Sequence, residues 1–311
     1  MMLIGLTPAS REVATAMVDE DVRIHSGRQF YNTRLGAPNV LELHVPPEVV
    51  NRTTPILADL QDALRRYRTE LPRYGSASSR VGGFFFSRPL WASDITWVSA
   101  DDDRAHTFFQ GIFDELNVSR RMAQYIEHDE NITLYTAFIV YRTKCTAPNY
   151  HVDYEPGVGT NAFTMMIPLS DLALLQERDD FQLLYGTSGD DEEELLSLHE
   201  HGFAKTYGWR NRMPDAELHA DPPPPTVNRH GRLLTRRYVY RHDKAIAFGA
   251  SFLHSTEPGW RAAPVAFLCF TFGTNLPEHW ENIRKTVGYQ GRYIGGQGFV
   301  GAPGSQPVVA Y

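Results

Sequence analysis

Three side chains in this chain combine in type and spacing to suggest chemistry: His151, Asp153 and His254. Residues two apart on an extended strand point to the same face, so a strand through His151 and Asp153 presents both together. An imidazole beside a carboxylate supplies two donors to a metal ion, and a second imidazole, His254, completes a set of three. Two His and one carboxylate on one side of an ion leave adjacent coordination positions open to other ligands.

Spacing alone does not single out this pair. With 12 His and 37 acidic residues in the chain, His-x-Asp arises about once by chance, and a second copy stands at His219-Ala-Asp221. Context separates the two. The first lies between the apolar runs Ile132–Tyr141 and Ala162–Leu169. The second abuts Pro222 to Pro225, which cannot donate ladder hydrogen bonds, so it reads as loop. His199-Glu-His201 also offers two imidazoles, but it sits beside the acidic run Asp190–Glu194 with no third donor evident.

Elements must position these donors. Apolar runs recur from Ile132 onward at 132–141, 162–169, 181–185, 233–240, 244–253 and 264–272, a rhythm of short strands that predicts a β sandwich or barrel. Before them, Leu41–Val45 alternates as a half-buried strand, and Gly82–Pro89 reads as a short strand entering a loop. A helix is expected from Thr54, capped by Thr54 with Pro55 in its first turn, its apolar stripe running through Leu57, Leu60, Leu64, Tyr67 and Leu71. Residues 102–128 read as helical with Phe108, Ile112, Phe113 and Leu116 on one side, and Asn117 and Ser119 divide them from a second helix. The expected fold class is α+β, mainly β: one domain over 1–311, with helical support and flanking strands at 1–128, a β core at 129–275, and a C-terminal helix and Gly-rich tail at 276–311. Gly296-Gln-Gly-Phe-Val-Gly301 has the letters of a dinucleotide-binding fingerprint, but Pro303 and Pro307 follow where that motif needs a helix, and it is rejected.

Composition bounds the partners. A net charge of −7 and a pI near 5.9 argue against nucleic acid or an anionic membrane as the main partner. Two cysteines, Cys145 and Cys269, both in apolar runs, make no disulfide framework and suit a reducing compartment. The apolar start Met1–Leu6 is short for a signal sequence, and no run reaches membrane-spanning length, so a cytoplasmic location is expected.

His151-Val-Asp153, the run Ala247–His254, then Pro258-Gly-Trp-Arg261 and the strand Pro264–Gly273 together resemble the Fe(II)/2-oxoglutarate-dependent dioxygenases, in particular the phytanoyl-CoA hydroxylase-like branch. The resemblance covers roughly residues 130–275, judged by strand order. It implies a double-stranded β-helix (jelly-roll) core and Fe(II) held by His151, Asp153 and His254. It also implies 2-oxoglutarate as co-substrate, its far carboxylate gripped by Arg261, whose planar fork matches both oxygens. Arg237 and Arg241 are the alternatives for that grip. The implied reaction couples decarboxylation of 2-oxoglutarate with O2 to oxidation of a C–H bond in a small molecule, by hydroxylation, desaturation or cyclisation. Tyr135, Tyr141, Trp209 and Trp260 are candidates to line the pocket, each weighed against ordinary packing. Two other readings stay open at this point: a mononuclear iron oxidase without 2-oxoglutarate, and a β-barrel binding protein without catalysis.

Overall fold

The computed structural model describes residues 22–24, 31–32, 37–38, 40–51, 53, 58, 62, 79–81, 83–87, 95–128, 132–145, 151–154, 156–169, 181–186, 235–241, 243–249, 252, 254–257 and 259–290. Fourteen strands lie among them: β1 (Val22–Ile24), β2 (Tyr31–Asn32), β3 (Ala37–Pro38), β4 (Val40–His44), β5 (Ser79–Val81), β6 (Phe84–Ser87), β7 (Ile95–Ala100), β8 (Ile132–Cys145), β9 (Ala162–Pro168), β10 (Leu183–Gly186), β11 (Thr235–Tyr238), β12 (Lys244–Gly249), β13 (His254–Thr256) and β14 (Gly259–Thr274). Besides helical backbone at 47–51, the α-helices that accompany them are α1 (Asp103–Glu115), α2 (Val118–Met122) and α3 (Pro277–Gln290).

Nine strands form one sheet in the order β1-β4-β12-β9-β14-β8-β7-β6-β5, and three form a second in the order β11-β10-β13. All the pairings are antiparallel. The described residues are therefore mostly antiparallel sheet with few helices. Alternation along the central strand β14 sorts its side chains: Leu268, Phe270 and Phe272 join one buried cluster, while Phe267 and Cys269 join another. The first cluster packs against α1, where Phe113 meets Phe270 edge to face at 5.6 Å. The second fills the space shared with the small sheet, where Phe181, Leu183 and Tyr238 close over Phe138, Ile246 and Phe248. Burying each such side chain contributes roughly 1.5–3 kcal/mol.

Several sequence expectations change in detail. Strands β1, β4, β5, β6 and β7, all from the first hundred residues, make both flanks of the large sheet. Helical backbone is present at 47–51, ahead of the start expected at Thr54, and again at Ala58 and Asp62 inside the expected span; the apolar-stripe residues Leu57, Leu60, Leu64, Tyr67 and Leu71 lie outside the described residues. In α1 the buried aromatics are Phe109 and Phe113, with Phe108 half-buried beside them. The break before α2 falls at Asn117, whose φ of 53° is a left-handed turn that Asn tolerates better than most residues. The run 244–253 is not one strand: after Gly249 the chain turns, with Phe252 N–H donating to Gly249 O, and re-enters as β13 in the other sheet. The acidic run 190–194, the proline loop at 221–232 and the glycine-rich 296–301 lie outside the described residues.

β14 is longer than expected and irregular at its start. Its partners on β8 step from Trp260↔Lys144 to Val265↔Arg142, so four residues, 261–264, oppose only Thr143. Pro264 lies in this bulge, where a residue with no N–H loses no ladder bond.

Candidate metal centre

His254 opens β13, and its backbone N–H and carbonyl exchange two 3.0 Å hydrogen bonds with those of His151. Residues paired in this way present their side chains to the same face. The two rings lie 4.5 Å apart, inclined at 46°. Asp153 Oδ1 is 3.6 Å from His151 Nε2 and 3.9 Å from His254 Nε2. One ligand atom from each residue lies within 4.8 Å of the other two, the only such group found among the described residues.

The route to this geometry differs from simple strand alternation. His151 is an isolated bridge and Asp153 sits in a bend that leads to a 3₁₀ turn at Pro156–Val158. The far-away partner His254 orients His151, and other contacts aim Asp153. Tyr154, next in sequence, is 1% exposed and donates its hydroxyl to Phe163 O at 2.8 Å. Thr286 of α3 donates to the main-chain oxygen of Asp153. Tyr154 packs with Tyr135, Val158, Ile283 and Val287, so α3 closes over the segment carrying two of the three donors.

The donor chemistry fits a divalent first-row metal. His151, His254 and Asp153 would hold such an ion, the carboxylate lying 3.6 and 3.9 Å from the two imidazole nitrogens. His254 Nδ1 lies 3.0 Å from Phe252 O. That contact makes Nδ1 the donor and leaves the Nε2 lone pair facing Asp153, the second contact that ligating imidazoles ordinarily make. Phe252 stacks on the His254 ring at 5.5 Å and 12°, and Phe248 approaches it at 4.4 Å. Burial first, and then the neighbouring His151, lower the His254 pKa to about 4, against the opposite pulls of Asp153 and of the hydrogen bond to Phe252. The ring is thus neutral near pH 7, the form that binds metals. His151 differs, with 44% of its side chain exposed against 12% for Asp153 and 7% for His254.

The remaining candidates fall in different places. Arg261 lies on β14 inside the bulge, and Arg237 lies on β11; both side chains are outside the described residues. Arg241 is exposed and pairs with Asp243 at 3.4 Å, a surface contact and not a pocket one. Tyr141 packs among the side chains facing α1, on the opposite side of the sheet from Phe138 and Phe248, so it lines no space near His254. Tyr135 belongs to the cluster under α3. Trp260 is 53% exposed. His199, His201, Trp209, His219 and Asp221 lie outside the described residues. Both cysteines are buried, and burial with Asp153 nearby pushes the Cys269 thiol up, which keeps it protonated and unreactive.

Phe252, Tyr154 and Thr286 were not among the residues singled out from the sequence. Phe252 stands two positions before His254 and could have been suspected on that ground; Thr286 carries no local signal at all.

No protein-family model matches the chain, and no curated protein matches it in sequence. Solved structures do resemble it. HygX from Streptomyces hygroscopicus, with nickel and 2-oxoglutarate bound, aligns over 76% of this chain and 82% of its own at 11% identity, with a TM-score of 0.42. SnoN, a non-haem alpha-ketoglutarate-dependent epimerase from nogalamycin biosynthesis, aligns over 75% and 78% at 12% identity and a TM-score of 0.35. A prolyl-4-hydroxylase from Pseudomonas putida aligns over 76% and 93% at 11% identity and a TM-score of 0.35. Among the described residues no helix is long and apolar enough to cross a membrane.

Proposed function

We propose that this chain is a non-haem Fe(II)/2-oxoglutarate-dependent oxygenase with a jelly-roll core, acting on a C–H bond of a small molecule. The observation that carries the reading is the convergence of His151 Nε2, His254 Nε2 and Asp153 Oδ1 on one point, with His254 neutral and its other nitrogen engaged. Iron held there would supply the redox chemistry that activates O2. The chain's own part is to hold the ion, orient the bound molecules and keep water from the buried side of the site. Phe248 and Phe252 do the last of these around His254. His151, the exposed donor, marks the side from which ligands arrive.

Arg261 is the proposed grip on the far carboxylate of 2-oxoglutarate, on the strength of its place where β14 follows β13. Arg261→Ala is expected to weaken co-substrate binding by about 2–5 kcal/mol, the cost of removing one partner of a buried charge pair. An unchanged titration, with the loss appearing in an Arg237 variant, moves the role there. Asp153 also argues against halogenation: by the family resemblance a halide would need the place of the carboxylate ligand, and a carboxylate held there would repel one arriving beside it.

The deciding experiment is anaerobic loading with Fe(II), followed by O2 with 2-oxoglutarate and a pool of candidate metabolites, reading succinate, O2 uptake and product masses. Succinate matched to O2, with products gaining oxygen or losing two hydrogens, is expected. O2 uptake without succinate points to an iron oxidase that does not use 2-oxoglutarate. Failure to bind metal leaves a binding protein, and a chlorinated product in excess chloride removes Asp153 from the ion.

A further inference from the structure

We propose that Thr286 is a positioning residue for the metal centre: its hydroxyl, donated from α3 to the main-chain oxygen of Asp153, sets the direction in which Asp153 presents its carboxylate to His151 and His254. The inference rests on the metal reading above and adds to it an element 133 residues away in sequence.

Asp153 needs such a device because of where it sits. His254 has β10 as a ladder partner and His151 across the bridge. Asp153 lies in a bend beyond that bridge. Its side chain leaves Cα in a direction fixed by the peptide planes on either side, and the plane following it is held at both ends. At one end Thr286 binds the carbonyl. At the other, the Tyr154 ring is locked by its hydroxyl on Phe163 O at 2.8 Å and by the Thr164 hydroxyl at 3.4 Å. A small rotation of that plane would swing the carboxylate away from two imidazoles less than 4 Å distant.

α3 is rigid enough to act as the reference. Ile283 and Val287, four apart on one helix face, are both 0% exposed, and Thr286 stands on the same side, three residues after Ile283. A threonine inside a helix commonly turns its hydroxyl back to the carbonyl four residues earlier. This one reaches across to the metal-binding segment instead.

Substitutions separate the hydroxyl from the methyl of Thr286. Thr286→Val keeps the shape and loses the donor, whereas Thr286→Ser keeps the donor and loses a methyl. The probe is Co(II) alone, titrated into the metal-free full chain, reading affinity and the visible absorption that reports its coordination, with thermal unfolding of the metal-free protein alongside. Thr286→Val is expected to bind Co(II) roughly tenfold more weakly with a changed spectrum, and Thr286→Ser to stay within about twofold of the parent, the scale of losing a contact behind a metal ligand. If Thr286→Val does not fold, Thr286→Ala against Thr286→Ser tests the same hydroxyl, and equal affinity overturns the proposal. Parent-like binding by Thr286→Val overturns it, as does weaker binding by Ser than by Val, which would make the methyl the important group. His151→Ala distinguishes the two levels. If it binds Co(II) as the parent does, or if the parent binds none, the metal reading itself fails and the proposal with it. If His151→Ala loses Co(II) while Thr286→Val does not, only the positioning role fails.

Discussion

The two sides of the candidate centre are built by different means. His254 belongs to a strand: β10 pairs with β13, Phe248 and Phe252 flank the ring, and Phe252 O fixes its tautomer. These contacts come from the sheets and from the turn at Phe252 that joins β12 to β13. Asp153 is held from outside them, by Thr286 on α3 and by the buried ring of Tyr154. His151 joins the two sides, its backbone paired with His254 and its side chain open to solvent. One side is therefore as stable as the β core, and the other depends on a helix packing against that core's end. Loss of α3 contacts should damage the carboxylate before it damages the imidazole.

The largest effect expected is loss of a donor itself. His151→Ala should abolish binding of one equivalent of Fe(II) or Co(II), because two remaining donors cannot hold a site built for three. His219→Ala should leave the stoichiometry unchanged. Metal analysis after gel filtration reads both, and the reverse pattern would transfer the site to the proline-rich loop.

Next comes the packing behind Asp153. Tyr154→Ala removes an aromatic ring that is 1% exposed and leaves a cavity beside Ile283 and Val287. A loss of about 3–5 kcal/mol in unfolding free energy follows from such truncations. Tyr154→Phe keeps the ring and removes the bond to Phe163 O together with the longer one from the Thr164 hydroxyl, for which about 1–2 kcal/mol is the expected loss. Denaturant titration of the metal-free chain measures both. If Tyr154→Ala were as mild as Tyr154→Phe, α3 would not be the support of this side and the contrast between the two would collapse.

The same contrast explains what could be read from the sequence. His254 was legible because a buried strand announces itself by its apolar neighbours, and β8, β9 and β14 were legible for that reason. The boundary between β12 and β13 was not, since Ala247 through Phe252 carries a single polar residue, Ser251, while the chain changes sheets after Gly249. Nor was the irregular start of β14, where the two-residue period that would aim Arg261 breaks down across the bulge. The link from Thr286 to Asp153 is a single long-range hydrogen bond, and a lone threonine in a helix has no pattern to betray it. In the first third, Asp102 as the start of a helix could be read locally, but the strands flanking it had to find partners in β8 and β12.

The smallest effect belongs to that first third and marks how far the contrast extends. Asp102 caps α1, its carboxylate Oδ1 accepting from Ala105 N–H at 2.9 Å. Asp102→Ala leaves that amide without its partner, and loss of such a cap costs about 1 kcal/mol. The helix packs through Phe109, Ile112 and Phe113 on the sheet face opposite the one that holds Phe248 and Cys269. A sheet that transmits little strain from one face to the other should therefore let Asp102→Ala lower the unfolding midpoint modestly while Co(II) affinity stays within about twofold, since distant sites with no shared partners add nearly independently. Parallel titration and unfolding of the same preparation decide this. A drop in metal affinity as large as that expected for Thr286→Val would mean that the centre senses the whole fold, and that α3 has no special hold on Asp153.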